Sequence, residues 1–232
     1  MAKVKFNVAL GEYGVLEEMY SSIGNLELTT DAKTKAVFTD SESDNKLVLL
    51  GKNFVYDGDV LEGGTITTIA FQNDEGMRVA TVNHGKWDPA DLLTAYGVDG
   101  FDGMVAYVLK GKDTMIGSKL GDLLAGEAGN DKILGNKGDD LIYGEAGNDR
   151  LSGGRGSDTF FFEPGMGKDI VTDFDALGGD LKQDYLNLPF DAEYTEIQKG
   201  RNLVLDFGEG DTLTLLGVRA KDFGEEDIHS AL

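Results

Sequence analysis

Six aspartates, Asp113, Asp122, Asp131, Asp140, Asp149 and Asp158, stand nine residues apart, with nothing inserted or lost between them. Two positions after each comes an apolar side chain: Met115, Leu124, Ile133, Ile142, Leu151 and Phe160. Two positions before each comes a glycine, Gly111, Gly129, Gly138, Gly147 and Gly156, except that Leu120 takes that place once. A second glycine column runs through Gly117, Gly126, Gly135, Gly144 and Gly153. A short period held this strictly leaves a chain few options, and it predicts like units stacked into a solenoid. A flexible glycine-rich linker would need no apolar column.

Each unit can be built from its parts. Glycines at positions 1 and 4 permit positive φ and close backbone approach, so the first six residues form a tight, carbonyl-rich turn. The last three alternate outward, inward, outward, as a minimal strand does. Two units make one coil, and stacked coils bury position 8 between two narrow parallel sheets. The position-6 aspartates then fall into two columns, one per edge, at the inter-strand spacing of about 4.8 Å. Carboxylates that close repel unless a cation lies between them. Calcium takes roughly six to eight oxygens from carboxylates and carbonyls, and these turns supply both.

Units such as GEAGNDKIL, GNKGDDLIY and GEAGNDRLS resemble the hemolysin-type calcium-binding repeats of the RTX family, G-G-x-G-x-D-x-apolar-x. The resemblance covers residues 108–161. It implies a parallel β-roll that holds several calcium ions, about four or more. Each ion would be shared by one aspartate and the aspartate two units on: Asp113/Asp131, Asp122/Asp140, Asp131/Asp149 and Asp140/Asp158. Backbone carbonyls of the turn glycines Gly111, Gly126, Gly129, Gly135, Gly138, Gly144, Gly147, Gly153 and Gly156 would complete the sites. Leu120 departs from the motif at the Asp122 turn, and Val108 replaces the first opening glycine, so an irregular start is expected. On this scheme Asp140 faces two neighbours and Asp158 one, so Asp140→Ala should weaken calcium binding more than Asp158→Ala.

The charge balance narrows the function classes. With 42 acidic against 21 basic residues and a net charge of −21, the chain has no general attraction for nucleic acid or anionic membranes. It should repel itself until cations bind, which couples folding to calcium. Without cysteine it has neither disulfides nor thiolate metal sites. No apolar run reaches the length of about 18 residues that a membrane-spanning helix needs. The opening MAKVKFNVALGEYGVLEEMY lacks the long apolar core of a secretory signal peptide. The RTX resemblance implies instead export from a Gram-negative bacterium by the type I secretion apparatus, through an uncleaved C-terminal signal. The tail GVRAKDFGEEDIHSAL, acidic with scattered apolar residues, is compatible. Scarce cytosolic calcium would keep the repeats threadable, and extracellular calcium would fold them.

The expected fold is mainly all-β, in three parts. Residues 1–107 read as a β-rich N-terminal domain with one or two short helices. One helix is predicted over Tyr13–Ile23 and another opens at Asp88-Pro89 as N-cap and first turn. Strands are predicted at Leu26–Thr29, Ala36–Thr39 and Leu47–Leu50, with a hairpin of Thr65–Gln72 and Met77–Val82 around Asn73–Gly76. Residues 108–161 form the roll. Residues 162–232 form a β-rich cap, with a hairpin of Val204–Phe207 and Thr212–Leu216 and a helical tail over Lys221–Ile228. The stretch PGMGKDIVTDFDALGGDLKQDYLNL resembles the segment after the roll in serralysin-type metalloproteases, which implies a further calcium site at Asp169, Asp173 or Asp180.

Catalytic motifs are absent. There is no H-E-x-x-H and no G-x-S-x-G, and the two histidines, His84 and His229, lie far apart in sequence. His84 near Trp87 reads as a turn histidine beside a core or rim tryptophan. The acidic pairs Asp57/Asp59 and Asp99/Asp102 read as glycine-flanked loops rather than a glycosidase pair. The expectation is a non-enzymatic, secreted calcium-binding protein with a structural, adhesive or matrix role at the cell surface, acting by self-association or on extracellular polysaccharide. The alternative is a carbohydrate-binding or carbohydrate-modifying protein that carries the roll as a module.

Overall fold

The computed structural model of the chain describes residues 3–6, 26–40, 44, 46–58, 60–72, 78–92, 95, 107–177 and 183–231. The predicted helix over Tyr13–Ile23, the turn at Asn73–Gly76, and Asp59, Asp99, Asp102 and Asp180 lie outside these residues. The fold is mostly β and divides into two compact units, Met1–Lys110 and Gly111–Leu232. No helix among the described residues is long and apolar enough to cross a membrane.

The first unit is an antiparallel sheet of strands β1 (Lys3–Phe6), β2 (Leu26–Ala32), β3 (Lys35–Asp40), β4 (Lys46–Asp57), β5 (Val60–Gln72) and β6 (Arg78–Trp87). Their order is β1-β6-β5-β4-β3-β2, with antiparallel pairing at every step. The strands outrun the short alternating patterns because the apolar runs are buried on both faces. Ala36, Val37 and Phe38 are all buried, and so are Leu47, Val48 and Leu49. Gly51 sits at a register shift in β4. A Cβ there would lie 2.1 Å from the Thr65 carbonyl oxygen and 2.5 Å from the Phe54 ring, so the bulge needs glycine. After β6, the Asp88 carboxylate accepts the N–H groups of Ala90 (2.8 Å) and Asp91 (3.4 Å), the N-cap that the Asp-Pro pair predicts. Trp87 is buried.

The second unit is a parallel β-roll. Its repeat strands are β7 (Thr114–Ile116), β8 (Leu123–Ala125), β9 (Ala128–Gly129), β10 (Lys132–Lys137), β11 (Leu141–Tyr143), β12 (Ala146–Gly147), β13 (Arg150–Arg155) and β14 (Thr159–Phe161). Beyond them come β15 (Lys168–Val171), β16 (Tyr185–Pro189), β17 (Thr195–Lys199), β18 (Asn202–Gly208), β19 (Asp211–Leu215) and β20 (Ile228–Ala231). One stack runs β7-β10-β13-β15-β19 and the other β8-β11-β14-β16-β20, parallel throughout. Register matches Met115 to Ile133, Leu151, Val171 and Leu215 in one stack. In the other it matches Leu124 to Ile142, Phe160, Leu186 and Ile228. Ile133, Ile142, Leu124, Val171, Leu186 and Leu215 are each 0% exposed, so the apolar column is the roll's interior.

The C-terminal residues extend both stacks. β17, β18 and β19 form an antiparallel meander on the end of the first. The predicted helical tail is instead two single 3₁₀ turns, Ala220–Asp222 and Glu225–Asp227, followed by β20. Gly224 interrupts the helical run. The Asp227 carboxylate accepts the Gly224 N–H (2.8 Å), which closes the second turn and releases Ile228 to pair with Leu186.

Candidate metal centre

Backbone conformation sorts the two glycine columns into different jobs. Position 4 has positive φ at Gly111, Gly129, Gly138, Gly147 and Gly156. In the last four units the second left-handed residue of the turn is at position 2, not position 1: Glu127 (65°), Asn136 (81°), Glu145 (61°) and Gly154 (106°). Position 1 needs glycine for space. A Cβ on Gly135 would lie 2.1 Å from Asp140 Oδ2 and 2.6 Å from the Gly153 carbonyl oxygen. A Cβ on Gly126 would lie 2.7 Å from the Gly144 carbonyl oxygen and 3.0 Å from Asp131 Oδ2. Each opening glycine therefore leaves a small oxygen-lined cradle beside its own aspartate.

The aspartates themselves form a ladder. The N–H of each donates to Oδ1 of the aspartate one coil on: Asp113 to Asp131 (2.6 Å), Asp122 to Asp140 (2.8 Å), Asp131 to Asp149 (2.7 Å) and Asp140 to Asp158 (2.9 Å). This holds each carboxylate in one orientation and turns its second oxygen toward the cradle. Oδ2 of Asp131, Asp140, Asp149 and Asp169 is buried without a hydrogen-bond partner. Asp140 is 0% exposed and Asp149 2%. Burial pushes the Asp140 carboxyl up to about 7, with the charges of Asp158 and Asp122 adding to it. Burial and the neighbouring Asp113 push Asp131 to about 6, and burial with the charge of Asp131 does the same to Asp149.

Such groups need a cation. Neutral pH would otherwise stack ionised carboxylates roughly 4.8 Å apart, repelling by on the order of 3 kcal/mol per pair at an effective dielectric of about 20. No three His, Cys, Asp or Glu side chains converge as a metal site among the described residues. What the turns present is buried carboxylate oxygens beside backbone carbonyl oxygens, and an all-oxygen lining of this kind suits calcium. The Leu120 turn keeps its aspartate in place: Leu120 itself is 58% exposed, and the Ser118 N–H donates to Asp122 Oδ2 (2.5 Å).

A protein-family model of the RTX calcium-binding nonapeptide repeat (4 copies) matches residues 109–136 and 125–160. Residues 109–160 are an RTX calcium-binding repeat array. Among solved structures, the chain is similar to the AlgE6R3 subunit of the mannuronan C5-epimerase of Azotobacter vinelandii. That match has 27% identity over 52% of this chain and 78% of that one, with a TM-score of 0.42. The AlgE6R2 subunit of the same enzyme matches at 27% identity over 50% of this chain and 91% of that one, TM-score 0.36. The extracellular lipase LipA of Serratia marcescens matches at 19% identity over 98% of this chain but 32% of the lipase, TM-score 0.42. No curated protein matches the chain.

The aspartate ladder outlasts the RTX array. Asp149 N–H donates to Asp169 Oδ1 (2.9 Å) and Asp158 N–H to Asp184 Oδ1 (3.0 Å), at separations of 20 and 26 residues. The extra two residues before Asp169 are taken up in the Glu163–Met166 turn, closed by Met166 N–H to the Glu163 carbonyl (3.2 Å). Asp169 is thus brought to the end of one column. Asp173 is not: its carboxylate accepts the Ser152 hydroxyl (2.7 Å) and the Gly153 N–H (3.2 Å), and it ties β13 to the following coil. Asp184 is absent from the residues that the sequence singles out. Its signal is the local Asp184-Tyr185-Leu186, the same Asp-x-apolar step as Asp158-Thr159-Phe160.

This continuation changes a mutational expectation. Asp158 has a neighbour on each side, Asp140 and Asp184, so the sequence-based ranking of Asp140 above Asp158 no longer follows. Asp140→Ala and Asp158→Ala should destabilise the calcium-loaded roll to a similar degree, because each loses a ladder hydrogen bond and a buried carboxylate. Each loss is about 2–4 kcal/mol. Calcium-dependent thermal melts of the two variants check this, and an Asp158→Ala variant markedly milder than Asp140→Ala would contradict the extended ladder.

Proposed function

We propose that the chain is a secreted calcium-responsive protein that folds on meeting extracellular calcium and then serves a structural, adhesive or matrix role at a cell surface. The observation that supports it most is the pair of buried aspartate columns. A roll that must bury this many carboxylates is disfavoured at neutral pH without the ion and favoured with it, which makes calcium the folding signal. Export through a type I channel fits, since a chain unfolded at low calcium can be threaded. The role is non-catalytic. The four motif pairs, Asp113/Asp131, Asp122/Asp140, Asp131/Asp149 and Asp140/Asp158, would each hold one ion with carbonyls of the turn glycines. The test is a calcium titration of the stripped chain, followed by far-ultraviolet circular dichroism and sedimentation velocity together. A gain of β signal with growth into large species is the expected matrix-type response. A gain of β signal in a monomer would shift the role to binding a separate partner. No structural response would overturn the reading.

A second reading, binding of an acidic polysaccharide, is favoured by the distribution of cations on the roll. Lys119, Lys137 and Arg155 occupy the third place of alternate units and are all exposed, with Lys137 and Arg155 in register on β10 and β13. Lys132 and Arg150 form a second exposed in-register pair on the same strands. Like charges placed side by side weaken a sheet slightly, and a polyanion would offset that. Calcium-loaded protein should bind a polyuronate in a salt-dependent way, and Lys137→Glu with Arg155→Glu should abolish the binding. Undiminished binding by the double variant would remove this reading.

A further inference from the structure

The two outward faces of the roll carry different side chains, because alternate units of the array differ. In the first stack, Lys132 and Leu134 flank the buried Ile133, and Arg150 and Ser152 flank the buried Leu151. Lys132 stands in register with Arg150, and the same strands run on to Lys137 and Arg155, also in register. All four cations are exposed. Among the described residues the cations in ion pairs are Arg219 and Lys221, and none of these four.

The second stack is the reverse. Leu141 and Tyr143 flank the buried Ile142, and Thr159 and Phe161 flank the buried Phe160. Strands β8, β11 and β14 bear no charged side chain. The Tyr143 and Phe161 rings stack on each other, 3.9 Å apart, and form an apolar ridge. Each of these strands runs into a turn whose acidic residue is Glu127, Glu145 or Glu163. Burial, and then the charge of Glu163, raises the Glu145 carboxyl, which places the two in one acidic rim.

The turns that lead from Glu127 to Lys132 and from Glu145 to Arg150 cross from the second stack to the first. The glutamates therefore border the second face and the cations the first, along the same edge of the roll. A second roll laid on the first by translation across its thickness brings Glu127 to Lys132 and Glu145 to Arg150. The same step brings Leu141 to Leu134 and, along the other edge, the exposed Asp139 to Lys137. Both copies share the strand spacing of about 4.8 Å, so these pairs meet together.

From this we infer that copies of the chain stack roll on roll, with the aromatic, glutamate-rimmed face of one on the cationic face of the next. The contact joins two different faces and does not close on itself, so it builds an open array rather than a dimer. Opposite charges on the two faces offset the mutual repulsion of chains that each carry −21. Strands of three residues supply far less than the roughly 800 Å² per partner of a stable pair, so each contact is weak and growth depends on concentration. This stacking rests on the reading of a calcium-folded, self-associating protein and supplies its contact surfaces.

Sedimentation velocity of the full chain in saturating calcium reads the stacking, and circular dichroism shows whether each variant has folded. Polysaccharide is left out, since it would compete for the same cations. The wild type is expected to grow into large species as its concentration rises. Lys132→Glu with Arg150→Glu leaves acidic groups on both faces, and Glu127→Lys with Glu145→Lys leaves cations on both. Each double variant alone is expected to stay monomeric, although the glutamate reversal lowers the net negative charge and would favour growth if general repulsion set the limit. Mixed in equal amounts, the two are expected to grow again, because each supplies the face that the other lacks. Leu141→Lys, away from the turns, sets a charge against Leu134 and is expected to abolish growth even if a turn reversal prevents folding. Undiminished growth of the folded variants, or a mixture of folded variants that stays monomeric, would overturn the stacking and leave calcium-driven self-association standing. A folded wild type that stays monomeric would overturn the stacking together with the self-associating reading beneath it.

Discussion

Chelating calcium at pH 7.5 is expected to unfold the roll, Gly111–Leu232, and acidifying the stripped chain to about pH 5 is expected to restore part of its β signal. The direction follows from the carboxyls. In the calcium-free fold, burial raises Asp140, Asp169 and Asp184 to about 7 and Asp131 and Asp149 to about 6, against 3.8 ordinarily. Below about pH 4 folded and unfolded chains are both protonated, and the columns carry no penalty. Between there and pH 6–7 the unfolded chain releases protons that the folded one keeps, so stability falls as pH rises. Above 7 the whole penalty stands. Calcium reverses the dependence, because its ligands must be ionised: affinity should drop as pH falls through 7 to 6, and binding in that range should release protons. Circular dichroism at matched pH with and without chelator reads the first effect, and titration calorimetry in buffers of different ionisation enthalpy reads the second. A stripped chain more folded at pH 7.5 than at pH 5 would contradict the burial of unpaired carboxylates.

The sequence reveals most where spacing is strict. Asp113 to Asp158, with Met115 to Phe160, fix the roll, its two columns and its interior, because a nine-residue period has one geometric solution when position 8 must be buried. Legibility fades where the period breaks. Asp169 and Asp184 continue the ladder at 20 and 26 residues, since a loop can absorb extra residues without disturbing the register of the next strand. Spacing alone cannot show that, although the Asp-x-apolar step at Asp184-Tyr185-Leu186 could. The glycine at position 1 is visible in the sequence but its reason is not. Only three-dimensional packing shows that it clears Asp140 Oδ2 and a neighbouring carbonyl while Glu145 carries the left-handed turn. In Met1–Lys110 the short alternating patterns understate β4 and β5, which are buried on both faces only over Leu47–Leu49 and Ile69–Ala70 and change register around Gly51. The strand Ile228–Ala231 escapes a helical reading of the tail because its pairing partner, Leu186, lies more than forty residues away.

Ile133→Asp is expected to prevent folding of the roll even at saturating calcium, whereas Leu134→Asp, one residue further along β10, is expected to be tolerated. Ile133 is 0% exposed and stands in register between Met115 and Leu151. Its burial is worth about 1.5–3 kcal/mol. An unpaired carboxylate in its place adds a desolvation cost of several kcal/mol. Together these consume much of the roughly 5–15 kcal/mol that a domain commands. Added calcium cannot rescue it, because the ladder carboxylates occupy position 6 of each turn, and the inward-facing position 8 is lined by side chains with no oxygen to share. Leu134 points the other way, is half-buried, and pairs with Ile116 and Ser152, so a charge there keeps its water and should shift stability by no more than about 0.5–1 kcal/mol. The comparison is read as the calcium-induced β signal of each variant. Retention of that signal in Ile133→Asp would mean that the two stacks do not close over position 8, and loss of it in both variants would mean that the roll tolerates no new charge on either side of β10.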